Sequence, residues 1–483
     1  MGKFKSLFGA QDMTMGNPTR SLVLFSVPLL IGNLAQLMYS TVDSIVVGNF
    51  VGDEALAAVG ASNPVLNLLL LLFMGVSMGS TIMVSQYFGA KEKDKLSGTV
   101  GTSITLTFII SIIMMAVGPF VSSPLLHLMQ TPEDIFDMSV EYLVITFVGI
   151  AAPAFYNILS GILRGLGDSI MPLLFLLVAC GLNIVLDLWF VISFGWGVAG
   201  VAWATIIAQA VSAVLCFIQI LRMKHVLTLR WKTLKPDKKL VSQLIKLGLP
   251  TGATQGIFSL AALVVQSLTN QFGTIFIAVT NVVMKVDSFA MMPNFTFGSA
   301  MTTYTGQNIG AGKIDRVEAG VKKGLKLGMI VSVVLVLLLL IFGEALMRMF
   351  TGTEEVISMG TRMIRILAVG YLAFTVTQIL SGVMRGAGET MVPMWISIIA
   401  TVVTRIPVAY GLAFFTRSEQ SPIGLPESIY ISLLISWLIG SVLTVIFYIK
   451  GKWKNRGITS YKQDEAEIFK ESGDEQQPVL NAD

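Results

Sequence analysis

Five charged side chains fall inside long apolar stretches of this sequence: Asp43, Asp187, Lys285, Asp287 and Arg405. A charge at the centre of a bilayer costs at least about 2.5–3.5 kcal/mol, so such residues usually face a cavity or a partner. These five residues are therefore the first candidates for a functional role.

Asp43 and Asp187 are predicted to lie at a similar depth, in the outer half of a membrane, on two different helices. Asn183 precedes Asp187 by four residues and shares its helix face. Burial and a neighbouring carboxylate both favour the protonated form of a carboxyl group, so the pair could take up and release a proton near neutral pH. With a hydroxyl such as that of Thr205, the same oxygens could instead coordinate a hard cation such as Na⁺. The alternative is that each aspartate only joins helices or lies at the membrane interface.

The second half of the chain has a different set of charges. Lys285 and Asp287 are two residues apart, so they point to nearly opposite faces of one helix, and Asp287 shares its face with Met291. Arg405 needs an acceptor, and Asp287 is a candidate; both a structural ion pair and a substrate contact stay open. A polar stripe on another helix predicts either cavity lining or helix–helix hydrogen bonds; it comprises Gln255, Ser259, Gln266 and Asn270.

The elements that must position these residues are membrane helices. The chain has 483 residues, of which 54% are apolar and 13% are charged, about half the charged fraction of soluble domains. Twelve apolar runs reach the length of about 20 residues that crosses a bilayer. They cover 21–48, 60–87, 100–121, 138–163, 170–194, 198–221, 243–270, 276–305, 322–346, 360–383, 391–415 and 428–449. This composition predicts an all-α membrane protein with twelve transmembrane helices.

Basic residues are concentrated in alternate loops. Eight lie in 222–246 and five in 306–326, whereas 49–57 and 122–137 contain acidic residues and no lysine or arginine. Positive charge marks the cytoplasmic loops of membrane proteins. The pattern predicts an even number of helices, with both termini in the cytoplasm, in an inner or plasma membrane.

An internal repeat appears when the chain is shifted by 221 positions. Ile158–Pro172 then aligns with Ile379–Pro393, with eight of 15 positions identical, and Gln86–Ala90 aligns with Gln307–Ala311. Each repeat has six helices, an even number, so the two lobes are parallel and pseudo-symmetric. Parallel repeats usually enclose a substrate path at their interface, although the duplication could be purely architectural.

We divide the sequence into five parts. They are a cytoplasmic N-terminal segment (1–20), a first lobe (21–221), a basic cytoplasmic linker (222–242), a second lobe (243–450) and a cytoplasmic tail (451–483). Residues 461–483 are polar and acidic, and we expect the tail to be disordered. Pro28 lies inside the first helix, where proline removes a backbone hydrogen bond and can bend the helix, so it is a candidate hinge.

Enzyme motifs are absent from the sequence. It contains no phosphate-binding loop, no HExxH or GxSxG motif, and no soluble stretch long enough for a nucleotide-binding domain. We therefore expect no enzymatic activity and no cofactor, and energy must come from an ion gradient or from the solute's own gradient. The expected partners are the lipid bilayer and small amphipathic solutes, not nucleic acid, and we expect a monomer.

Several motifs resemble those of bacterial multidrug and toxic compound extrusion (MATE) transporters, over about residues 20–450. They are Thr41–Gly48, Arg164–Asp168, Asn183–Asp187, Gly197–Thr205, Arg385–Glu389 and Arg405–Pro407. The resemblance implies a V-shaped exporter of two lobes that exchanges protons or sodium for amphipathic, often cationic compounds. It also implies a cation site at Asp43, Asn183, Asp187 and Thr205, and a role for the bending of the helix that contains Pro28.

The predicted function is a cation-coupled antiporter that exports amphipathic or cationic drugs and other xenobiotics. Its predicted substrate cavity comprises Gln255, Lys285, Asp287, Met291 and Arg405. One alternative is a lipid-linked oligosaccharide or lipid flippase of related architecture, a class that tends to have extra helices and a more cationic cavity. Another is a passive channel or a non-transporting receptor, against which the paired buried carboxylates argue.

Overall fold

The computed structural model describes residues 10–458 except Gln420, and this part of the chain is helical. Its β structure is limited, within the described residues, to one isolated bridge between Ser418 and Ser421. Eleven helices are long and apolar enough to cross a membrane, and a pair of helices bent by 49° makes a twelfth span.

We number the spans in chain order, with letters for the parts of a bent or broken span. They are α1 Pro18–Val46, α2 Asp53–Gly89, α3 Lys93–Leu128, α4a Glu133–Val148, α4b Ala151–Gly165, α5 Ile170–Leu188, α6 Gly197–Arg222, α7 Lys238–Gln271, α8 Thr274–Gly310, α9 Ile314–Arg348, α10 Glu354–Gly386, α11a Met391–Ile398, α11b Ile406–Phe415 and α12 Glu427–Ile449. Each predicted apolar run overlaps one of these spans. Large apolar side chains are exposed along α3 and α9, as lipid contact requires.

Three spans contain a π-helical turn. Val47–Val51 continues α1, Trp189–Ser193 continues α5, and Ile399–Arg405 joins α11a to α11b. Such turns change which side chains share a helix face and are frequent at functional sites. Asp43 and Asp187 each lie within four residues of one of these turns, and Arg405 ends the third.

The two halves of the chain meet where α2 crosses α7. Gly75 and Gly79 of α2 face Gly248 and Gly252 of α7, and both pairs have the G-x-x-x-G spacing that lets membrane helices approach closely. A Cβ on Gly79 would lie 2.6 Å from the carbonyl oxygen of Leu244. The backbones are therefore in direct contact, with no room for a side chain between them.

A second crossing, of α2 with α8, closes one end of the molecule, which we call the basic face. The basic face comprises the loops 90–92, 166–169, 223–237, 311–313 and 387–390. Here a Cβ on Gly89 would lie 2.8 Å from Cα of Gln307, and a Cβ on Gly310 would lie 2.9 Å from Cα of Gln86. The two pairs are related by the 221-residue repeat, so the crossing is pseudo-symmetric.

The glutamines of this crossing bind the opposite half of the protein. Gln86 Nε2 donates to the carbonyl oxygen of Gly386 at 2.8 Å, and Gln307 Nε2 donates to that of Gly165 at 3.1 Å. Because Gly165 and Gly386 are also related by the repeat, each half holds the other through the same contact. The basic face is closed by backbone contact and paired hydrogen bonds.

The N-terminal segment packs across this closed face. The backbone N–H of Met13 donates to Oε1 of Gln307 at 2.8 Å. The Arg316 guanidinium donates to the carbonyl oxygens of Met13, Met15 and Gly16. Residues 10–17 thereby connect the basic-face ends of α8 and α9.

The segment after α12 packs on the same face. The backbone N–H of Ile458 donates to Oε1 of Gln86 at 2.8 Å, and Lys454 pairs with Glu318 at 2.5 Å. Trp453 is 2% exposed and stacks on Tyr448. Residues 451–458 therefore differ from the disordered tail predicted from 451 onward, because Trp453 buries its ring; residues 459–483 lie outside the described part.

Candidate functional site

A cavity of about 650 Å³ lies between the two halves. Side chains from α1, α2, α4a, α4b, α5 and α6 form one wall, and α7 and α8 form the other. Its surface is mostly apolar with scattered hydroxyl and amide groups, and it includes Phe25, Leu29, Asn33, Gln36, Met74 and Met78. A smaller cavity of about 180 Å³ adjoins it and shares Met78, Thr251, Gln255 and Ser299. Such a surface suits amphipathic molecules.

Three helices bring the predicted cation site together. Asp43 of α1 and Asp187 of α5 are close enough for their side chains to interact, and Asn183 adjoins them. Thr205 of α6 donates a long hydrogen bond of 3.5 Å to Oδ2 of Asp43. Asn183 and Asp187 are fully buried, whereas Asp43 and Thr205 are partly buried.

The buried polar groups of this cluster are poorly satisfied. Neither oxygen of Asp187 and neither amide atom of Asn183 has a well-formed hydrogen bond within the described residues, although Asp43 adjoins both side chains. A buried polar atom without a partner costs about 1–3 kcal/mol, and two adjacent carboxylates repel one another unless a proton or cation lies between them. The donor set of two carboxylates, an amide and a hydroxyl suits either ion.

Tyr39 connects this cluster to the cavity, and it is not among the site residues predicted from the sequence. Its hydroxyl lies near Thr205 and Asp43, and both Tyr39 and Thr205 line the larger cavity. The available signal was its position four residues before Asp43, which places both side chains on one face of α1. The cluster therefore borders the cavity through Tyr39 and Thr205.

The charged residues of the second half form another group. The Tyr371 hydroxyl donates a short hydrogen bond to Oδ1 of Asp287. Arg405 lies near Asp287 and Tyr430, yet its Nε has no hydrogen-bond partner in the part of the chain that the structure describes. The acceptor suggested for Arg405 therefore receives its hydrogen bond from a tyrosine of α10.

The predicted cavity residues occupy three different environments. Gln255 lines both cavities, whereas Asp287, Met291 and Arg405 line neither of the two. Met291 packs against the apolar core of the second half. Lys285 is exposed, with Nζ 5.4 Å from the centroid of the Phe350 ring. We therefore retain Gln255 in the candidate cavity and leave Lys285 out of it.

Two other charged residues do line the cavities. Arg164 is in the wall of the larger cavity and Arg385 is in the wall of the smaller one. Both arginines belong to the motifs Arg164–Asp168 and Arg385–Glu389, which the repeat relates, but they are not among the predicted cavity residues. Their relation by the 221-residue shift was the available signal, because pseudo-symmetric positions face a common axis.

Comparison with known proteins agrees with this architecture. A family model described as MatE matches residues 28–189 and 250–411, which is more than half of the chain and includes both repeats. The chain belongs to the MatE family. It is 32% identical over 450 residues to "Probable multidrug resistance protein YoeA" of Bacillus subtilis, covering 91% of this chain and 95% of that protein. It is 22% identical over 432 residues to "Multidrug export protein MepA" of Staphylococcus saprophyticus, covering 88% and 95%.

Solved structures match this MatE protein along most of its length. One, described as an outward-facing conformation of a multidrug resistance MATE family transporter, has a TM-score of 0.85 at 22% identity and covers 92% of this chain and 99% of that chain. Another, a MOP superfamily transporter from Pyrococcus furiosus, has a TM-score of 0.83 at 23% identity and covers 90% and 96%. The predicted fold class, twelve helices in two six-helix lobes of the V-shaped MATE type, is confirmed. This MatE protein is a multi-pass membrane transporter and not an enzyme.

Proposed function

We propose that this MATE transporter is a cation-coupled antiporter that uses a proton or sodium gradient to export amphipathic or cationic xenobiotics. The observation that supports this most directly is the cluster of Asp43, Asn183, Asp187 and Thr205 beside the central cavity. Relatives named as multidrug resistance and export proteins support multidrug efflux as the general activity.

The cluster and the cavity suggest how ion and substrate could be coupled. An ion can shift the balance between two conformations only if it binds one of them more tightly than the other. Asp43 lies on α1, whose inner part contains Pro28 in the cavity wall. Bending of α1 at Pro28 would move Asp43 relative to Asp187 on α5, so the affinity for the ion would differ between conformations.

The distribution of charge among the loops supports one orientation in the membrane. We propose that the basic face is cytoplasmic, in a bacterial plasma membrane, with both ends of the chain on that side. Since α2 and α8 are in backbone contact at this face, the conformation seen here would be closed to the cytoplasm and outward-facing. We propose a monomer that needs no cofactor besides its coupling ion.

Dye efflux tests the coupling role. We expect Asp43→Asn and Asp187→Asn each to reduce efflux of a fluorescent amphipathic dye from cells at least about tenfold, since a neutral amide can neither exchange the proton nor neutralise Na⁺. Asp53→Asn is the matched control, because Asp53 is exposed in the first turn of α2. Efflux that is unchanged in both variants would refute the coupling role.

The choice of ion is tested separately. Proteoliposomes that contain the purified protein would receive an imposed sodium gradient, an imposed proton gradient, or neither. Dye transport that is driven by one gradient and abolished by Asp187→Asn would identify the ion. Equal transport under all three conditions would contradict antiport and favour passive movement.

A lipid-linked oligosaccharide or lipid flippase is the second candidate. The observation that favours it is that the two charged residues among the described lining of the cavities are arginines, which bind phosphate well. Transfer of a fluorescent phospholipid between leaflets, measured in the same proteoliposomes, would distinguish the candidates. Lipid transfer without dye transport would favour the flippase.

A further inference from the structure

The walls of the two central cavities have an uneven charge. Among the described lining residues, Arg164 and Arg385 are the charged ones, and no carboxylate is present. Each arginine lies in the last turn before the basic face, on α4b and α10 respectively. The innermost end of the central space therefore has positive charge on both pseudo-symmetric sides.

The acidic residues that could neutralise these arginines are bound elsewhere. Each arginine is followed four residues later by a carboxylate, in Arg164–Asp168 and Arg385–Glu389. Asp168 accepts a hydrogen bond from the backbone N–H of Met171 at 3.0 Å. Glu389 pairs with Arg456 at 2.9 Å and accepts from the backbone N–H of Val392. Both carboxylates therefore bind groups other than the guanidinium groups of Arg164 and Arg385.

The two guanidinium groups have few partners of their own. Nη2 of Arg164 donates to the Ser160 hydroxyl at 3.1 Å, and Nε of Arg385 is buried with no hydrogen-bond partner in the described chain. Within residues 10–458 except Gln420, neither arginine forms an ion pair within 4.0 Å. Arginine stays protonated in proteins, and a buried charge without an ionic partner is costly. A bound anion would supply the missing acceptors.

We propose that the inner ends of the two adjoining cavities bind the carboxylate or phosphate group of an amphipathic substrate, through Arg164 in the larger cavity and through Arg385 in the smaller one. A guanidinium matches such groups with two parallel hydrogen bonds, and Phe25, Leu29, Met74 and Met78 provide an apolar surface for the rest of the molecule. The proposal rests on the proposed function, because it assigns the anion site to the exported substrate.

The site is distinct from the coupling cluster. α5 begins at Ile170, six residues after Arg164, and reaches Asp187 seventeen residues later. At a rise of 1.5 Å per residue, the two ends of this helix are about 25 Å apart. An anionic group at the arginines therefore leaves Asp43 and Asp187 free for the coupling ion.

Binding to purified protein in phosphatidylcholine nanodiscs tests the proposal. The probes are dodecyl phosphate and dodecyltrimethylammonium, which have the same chain and opposite charge. We expect Arg164→Gln and Arg385→Gln each to weaken dodecyl phosphate binding about tenfold or more, with dodecyltrimethylammonium unaffected. Arg164→Lys and Arg385→Lys should retain part of the affinity, and Arg222→Gln, at an exposed arginine on the same face, should retain all of it.

Two further measurements separate the sources of the anion. If inorganic phosphate competes with dodecyl phosphate, the site binds the free anion. If phosphatidic acid in the nanodisc competes instead, the site binds a lipid headgroup. Either result supports an anion site at the arginines. Dodecyl phosphate that fails to bind, or that binds equally to wild type and to both glutamine variants, would overturn it. Because binding needs no gradient, this failure is distinguishable from a failure of Asp43→Asn to reduce efflux.

Discussion

Replacement of Gly89 by alanine gives the sharpest test of how the basic face closes. An alanine Cβ would lie 2.8 Å from Cα of Gln307 and still closer to its carbonyl group. These are backbone atoms and cannot rotate away, so α2 and α8 must separate. Overpacking of this kind costs about 1–3 kcal/mol, and it destabilises only the conformation in which the two helices cross. The equilibrium should therefore shift toward opening of the basic face by a factor of about 5–150.

Accessibility of the cavity from the basic face measures this shift. A cysteine replaces Thr303, a buried residue in the cavity wall, in a protein whose two native cysteines are replaced by alanine. An impermeant maleimide is then applied to membrane vesicles from the basic-face side. We expect Gly89→Ala to increase the labelling rate at least about fivefold and to lower the melting temperature.

The matched control is Gly60→Ala on the same helix. A Cβ on Gly60 would meet no atom within 4 Å, so the substitution adds no strain and should favour the helix by up to about 1 kcal/mol. If Gly89→Ala and Gly60→Ala label at the same rate, the close crossing of α2 and α8 does not control access to the cavity.

Three more substitutions test other contacts. Gln307→Leu removes the hydrogen bonds with Gly165 and Met13 and should lower the free energy of unfolding by about 1–3 kcal/mol; an unchanged melting temperature would contradict a role in closure. Tyr371→Phe removes the donor to Asp287 and should destabilise the protein by about 1–3 kcal/mol, as measured by thermal unfolding in detergent. Tyr39→Phe keeps the ring in the cavity wall and removes the hydroxyl beside Thr205, so we expect the ion dependence of efflux to change while dye binding is retained; the opposite result would argue against coupling through this residue.

The sequence alone determined the architecture of this protein. Apolar runs of sufficient length identified twelve spans, because a bilayer selects for length and hydropathy along the chain. The repeat revealed two parallel halves, and helical periodicity placed Asn183 and Asp187 on one face. Because burying a charge in a membrane costs free energy, Asp43 and Asp187 were predicted to have a functional role, and the structure brings them together.

Only the tertiary structure decided which polar residues face the cavity. Periodicity specifies a face of a helix but not the neighbour that this face meets. Gln255 lines both cavities, whereas Asp287 accepts a hydrogen bond from Tyr371. The π turns after Asp43 and Asp187 shift the helix face locally, and no composition signal marks them. Arg164 and Arg385 line the cavities without an ion pair among the described residues, because Asp168 and Glu389, four residues later in the sequence, bind other groups. These placements depend on contacts between residues far apart in the sequence, which helical periodicity does not predict.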